Sequence, residues 1–254
     1  MRLVPAFLLF SALGYAEVIY GCSGSIAHIA AGGGIQMTFT ISNIGDTTAS
    51  YQLTFRDNDG RPLTLVTDAG TTNTFFEVVF PPHTSRTIRT TGPADTLIQG
   101  WAVIRYIGSV GVSATFRFTT APWAGSETTV PVDTWRNNRF SLAFDHKDSA
   151  TTGLAIANPS PKDPIAVTVT FRDEDGSLIV ADTFNLSSAA HRAILTTSSY
   201  PATAGKRGTM DIATASGYMS VLALRFGPTA ISAITPLVSG QWASFDNSSA
   251  GCWD

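Results

Sequence analysis

Two short acidic segments hold the residues best spaced for chemistry. They are Phe55-Arg56-Asp57-Asn58-Asp59-Gly60 and Phe171-Arg172-Asp173-Glu174-Asp175-Gly176. Oxygen ligands at alternating positions followed by Gly are how a calcium loop begins, which makes Asp57 with Asp59, and Asp173 with Asp175, candidate ligands. A complete loop of that kind also needs a Glu at its twelfth position. Counted from Asp57 that position is Asp68, and counted from Asp173 it is Phe184. The competing chemistry is conformational. Asp-Gly supplies the positive φ of a tight hairpin turn, and the flanks of both segments alternate as strands do. The four Asp are therefore read as hairpin tips, and no metal site is assigned.

The remaining reactive residue types do not assemble into a catalytic pattern. Arg86, Arg117, Arg192 and Arg225 recur at matching places in the two halves. They could form an anion site, or stand on wet strand faces and pair with a hairpin Asp. His28, His83, His146 and His191 are scattered, and no two have metal-ligand spacing. No Gly-x-Ser-x-Gly elbow occurs, and Gly21-Cys22-Ser23-Gly24-Ser25 has the wrong order. Gly32-Gly33-Gly34 lacks the Lys and the following helix of a phosphate loop. The reading is of a non-enzyme with no cofactor. A net charge of −3 and the absence of a basic run argue against nucleic acid as a partner.

Tryptophans are the remaining candidates for contact. Trp123 and Trp135 lie in or beside a Pro- and Gly-punctuated segment at the middle of the chain, and Trp242 and Trp253 lie near its end. Aromatics so placed could bind a glycan or a protein partner, or seal a domain junction and pin the tail.

These residues must be positioned by strands. Met37-Thr38-Phe39-Thr40-Ile41 and Val167-Thr168-Val169-Thr170-Phe171 alternate with period two, and no window carries a helical stripe. The acidic motif belongs to a longer internal repeat. Phe39-Thr40-Ile41-Ser42-Asn43 matches Leu154-Ala155-Ile156-Ala157-Asn158, and Arg86-Thr87-Ile88 matches Arg192-Ala193-Ile194. Ala114-Thr115-Phe116-Arg117-Phe118 matches Leu222-Ala223-Leu224-Arg225-Phe226, and Val130-Pro131-Val132 matches Thr235-Pro236-Leu237. The fold class is therefore all-β, with two tandem antiparallel β-sandwich domains of Ig-like architecture. Phe116, Phe118 and Phe226 are assigned to the sandwich cores or their edges. The division reads as a signal peptide over 1–16, a first domain over 17–120, an inter-domain segment over 121–133, a second domain over 134–240 and a tail over 241–254.

Arg2, the apolar run that follows and the small residues of Gly14-Tyr15-Ala16 have the order of a secretory signal. No later apolar stretch is long enough for a membrane helix, so no membrane span is expected after cleavage. In an oxidising compartment Cys22 and Cys252 are expected to form a disulfide that clasps the termini, with free or intermolecular thiols as the alternative.

The elements Gly153 to Ser160, Thr168 to Gly176 and Ala223 to Phe226, read as GLAIANPS, TVTFRDEDG and ALRF, resemble an uncharacterised class of secreted bacterial proteins with tandem Ig-like β-sandwich repeats. That resemblance implies an extracellular setting and brings no catalytic residues. The expected function is a secreted, non-catalytic structural or adhesive protein at the cell surface or in the extracellular space, self-associating or binding an extracellular protein or glycan. The alternative is a carbohydrate-binding module that uses exposed aromatics.

Overall fold

A computed structural model describes residues 21–92, 95–134 and 136–238. The expected signal segment, Trp135, Trp242, Trp253, Cys252 and the Cys22 side chain lie outside the described residues, so that expectation, the disulfide and three of the Trp assignments are not addressed by it.

The first half contains β1 (Cys22–Ala31), β2 (Ile35–Asn43), β3 (Ala49–Arg56), β4 (Leu65–Thr67), β5 (Gly70–Thr72), β6 (Thr74–Phe80), β7 (Ser85–Arg89), β8 (Ile98–Ile107), β9 (Val110–Phe118) and β10 (Glu127–Val130). The second contains β11 (Arg139–Asp145), β12 (Thr151–Ala157), β13 (Ile165–Asp173), β14 (Leu178–Leu186) and β15 (His191–Leu195). Two short helical turns follow, α1 (Thr196–Ser199) and a 3-10 turn over Pro201–Thr203, then β16 (Arg207–Thr214), β17 (Ser220–Phe226), β18 (Ile231–Ile234) and β19 (Leu237–Val238).

All the strand pairings are antiparallel. One sandwich packs the sheet β1-β8-β3-β6 on the sheet β10-β9-β2-β7. The other packs β14-β13-β16-β11-β19 on β15-β12-β17-β18, and β4 and β5 form a small ribbon inserted in the first half. Alternation decides what each sheet buries. Phe39, Ile41, Leu53, Phe55, Ile104 and Phe116 fill the first core; Leu154, Ile156, Val167, Val169, Phe171 and Ile212 fill the second.

The repeated Asn closes the same turn twice. Asn43 Nδ2 donates to the carbonyls of Thr47 and Phe80, and its Oδ1 accepts from the Gly45 N–H. Asn158 Nδ2 donates to the carbonyls of Asp163, Leu186 and Ser187, and its Oδ1 accepts from Ser160 N–H. A buried amide satisfied on both sides fixes where each strand hands over to its loop.

The late strands correct one sequence match. Opposite the equivalent Phe39 and Leu154 stand Ala114 and Ala223, so Arg225 takes the place of Phe116 and Phe226 the place of Arg117. A one-residue slip exchanges the two faces of a strand. Phe116 and Phe118 do lie in the first core, but Phe226 points out of the second sandwich. The arginines are also not equivalent partners of hairpin Asp residues. Arg86 pairs with Glu77, Arg117 with Glu127 and Arg225 with Asp145, while Arg192 lies 4.2 Å over the Phe184 ring.

That outward face is where the halves differ most. In the first half it carries Thr38, Thr40, Thr87, Ser113, Thr115 and Arg117. The same lattice points in the second half are Gly153, Ala155, Ala193, Leu222, Leu224 and Phe226. The first sandwich sits on this apolar face. Its edge strand β1 packs on β12, β15 and β17, and its other edge, β10, packs on β18. Ala155, Leu222, Leu224 and Ile231 are consequently continuous with the first core. Covering two sheet edges with an apolar sheet face removes unpaired strand edges and joins the sandwiches in one step.

Candidate functional site: the seam and the far edge

The seam is built from the acidic motif of the first half. In both copies the first Asp organises the turn. Asp57 Oδ1 accepts from the N–H groups of Asp59 and Arg61, and Asp173 Oδ1 accepts from those of Asp175 and Ser177. Arg56 and Arg172 donate to the carbonyls of Gly60 and Gly176, and both glycines have φ of 82°. Asp59 pairs with Arg61 at 3.1 Å, exposed to solvent. The first carboxylate of each motif is thus engaged by its own turn. Among the described residues no group of three or more His, Cys, Asp or Glu is placed to hold a metal ion.

The two tips then diverge. Asn58 of the first is docked on the second sandwich: its carbonyl accepts from His191 N–H at 2.9 Å, and its Oδ1 faces His191 Nδ1 at 2.8 Å. A Cβ on Gly60 would lie 2.7 Å from the Ala189 carbonyl oxygen, whereas one on Gly176 would meet nothing. These twins make a controlled comparison. Gly176→Ala is expected to cost about 1 kcal/mol, the price of an Ala in a left-handed turn. Gly60→Ala is expected to cost about 1–3 kcal/mol more, because the turn must also back away from Ala189. Urea unfolding of the two variants checks this; equal losses would mean the docked tip contributes nothing to the seam.

Tryptophans and histidines complete the contact. Trp101, 1% exposed, donates its indole N–H to the Ala189 carbonyl at 2.8 Å and packs on Ala157. Trp123 donates to the Gly227 carbonyl at 2.8 Å, meets Phe118 edge-on and packs tilted against Phe226. Of the Trp proposed for ligand or partner contact, Trp123 is therefore placed at the junction. His28 and His191, from opposite halves, stack with centroids 5.1 Å apart, Nδ1 of one 3.1 Å from Nε2 of the other. Burial lowers the His28 pKa to about 4; burial and then His28 lower that of His191 to about 3. Both are neutral at pH 7. Sequence spacing offers no signal for this pair, which the fold alone brings together.

The end of the first sandwich away from the seam exposes β6. Among the described residues this strand pairs with β3 on one side only and closes its sheet on the other. Phe76, Val78 and Val79 are 67%, 53% and 66% exposed. Its counterpart β14 is also an edge but carries Asp182 and Asn185 along it. Among the described residues no helix is long and apolar enough to cross a membrane. No family model, no curated protein and no solved structure matches the chain.

Proposed function

We propose that the chain is a secreted, non-catalytic structural or adhesive protein with two Ig-like sandwiches, working at the cell surface or in the extracellular space, and that β6 is its adhesive strand. The observation that carries this reading is the exposed, apolar β6 edge, which has no strand partner on its outer side among the described residues. Natural sheets guard their edges with charge, proline or cover, and β6 has only Glu77, already bonded to Arg86. An edge left in this state suits strand addition, in which backbone hydrogen bonds supply affinity and alternate side chains supply selectivity. The occupant we assign is an extended strand of a second copy. A sandwich pair welded by an apolar seam transmits force between such contacts without a flexible hinge. The glycan alternative is less favoured, since Trp101 and Trp123 are spent on the seam.

Light scattering across a concentration series tests the assignment. The protein is expected to self-associate, and Val79→Lys is expected to weaken association at least tenfold with circular dichroism unchanged. A protein that stays monomeric at every concentration, or a Val79→Lys variant that associates like the parent, overturns it.

A further inference from the structure

The seam does not close completely, and the gap it leaves has the attributes of a ligand site. A cavity of about 190 Å³ lies between β1 and the outer face of the second sandwich. Its walls are Leu222, Leu224, Phe226, Leu195, Gly153, Ala155 and Ala193, and its one polar side chain is His28. The space has an identifiable origin. Gly153, Ala155 and Ala193 occupy the lattice points held by Thr38, Thr40 and Thr87 in the first half, so two adjacent strands, β12 and β15, withdraw three side chains at one spot. A Cβ on Gly153 would come within 2.6 Å of the edge of the Phe226 ring, so Gly153 is also what leaves room for that ring edge over the floor.

The polar end is set by a relay. Asn58 Oδ1 accepts from His191 Nδ1–H, leaving His191 Nε2 bare to accept from His28 Nδ1–H. This fixes the His28 tautomer, and His28 Nε2 is left as a hydrogen-bond acceptor with no partner among the described residues. That acceptor is within reach of solvent, so a ligand hydroxyl would take the place of water on it. The pocket opens to solvent on one side past the half-exposed Leu195, and its volume is of the order that accepts a single benzene-sized ring.

We propose that this cavity binds a small aromatic alcohol of phenol size, its ring over Gly153, Ala155 and Ala193 and its hydroxyl donating to His28 Nε2. The neutral state of His28 at pH 7 keeps that acceptor available. The proposal is independent of the β6 assignment, since the two sites lie at opposite ends of the first sandwich.

The test is titration of the full chain with phenol and with toluene, followed by amide chemical shifts in nuclear magnetic resonance. Saturable phenol shifts centred on Ala155, Ala193 and Leu224 are expected, with toluene binding about tenfold more weakly because it offers no hydroxyl. His28→Leu keeps the volume and removes the acceptor, so phenol should fall to the level of toluene. Ala193→Leu fills the floor and should abolish binding of both. His28→Leu also breaks the bond to His191; its amide spectrum reports whether the seam survives, and Ala193→Leu leaves the relay intact. Equal affinity for phenol and toluene in the parent, or phenol shifts that survive Ala193→Leu, would overturn the proposal.

Discussion

Acidification from 6.5, the ordinary imidazole value, to about 4 is expected to weaken the folded protein by roughly 3 kcal/mol. The cause is the His28–His191 pair. Both are neutral when folded because the seam desolvates them, and no carboxylate stands among the groups that shift them. The groups that face them are Asn58 and Phe116. When the chain unfolds, each imidazole regains its ordinary affinity for protons. Between the two values the unfolded state binds more protons, so stability rises with pH there. The contribution is complete above 6.5 and is lost as pH falls through that value towards the folded values of about 4 and about 3. The two shifts do not add, since His28 is itself one cause of the shift at His191. His146 slopes the same way: burial is its largest influence and lowers it, against smaller raising effects of Thr203 and Asp145. It lies inside the second sandwich, bonded to Thr152, Thr196 and Thr203, so it provides an internal reference. Urea denaturation at a series of pH values should show the slope. His28→Gln together with His191→Gln should flatten it while leaving the His146 part. An unchanged slope in that variant would sink the assignment.

Much of the fold was legible because period-two alternation is a local signal. The Phe-Arg-Asp-x-Asp-Gly turn, the Asn-closed loops and the inward Phe, Val and Ile residues are all set within a few residues of sequence. What the sequence hid is non-local. His28 and His191 are brought together by the docking of two sandwiches, and no spacing rule spans that distance. Phe226 was misplaced for a subtler reason. Leu222-Ala223-Leu224-Arg225-Phe226 is apolar on both faces, because one face meets the core and the other meets the seam. Alternation carries no phase in such a strand, and matching Arg to Arg chose the wrong register. The signal that could have found the seam was the difference between repeats: Thr38, Thr40 and Thr87 become Gly153, Ala155 and Ala193. Loss of three wet-face Thr from two neighbouring strands at once is the imprint of a covered sheet.

Trp101→Ala is expected to produce the largest loss among single seam substitutions, about 3–5 kcal/mol. Trp101 projects from β8 on the face opposite Ala102 and Ile104, which belong to the first core. Its ring instead fills a pocket made with Ala157 and Ala189 of the second half. Truncation therefore leaves a cavity in the seam and an unbonded carbonyl on Ala189, while the first core stays filled. The corresponding position on β16 is Thr209, so the fold unit itself has no need of an aromatic here. A loss confined to the seam has a distinctive consequence. Two sandwiches with separate cores unfold together only while their shared surface outweighs the entropy of releasing one from the other. Calorimetry of the parent is expected to show one transition, and Trp101→Ala to split it into two. Trp101→Phe, which keeps most of the ring volume and loses the hydrogen bond, should cost about 1–2 kcal/mol and leave the transition single. If Trp101→Ala instead lowers one undivided transition by less than about 1 kcal/mol, the indole is not what couples the sandwiches, and the seam would have to be held by Phe226, Leu222 and Leu224 alone.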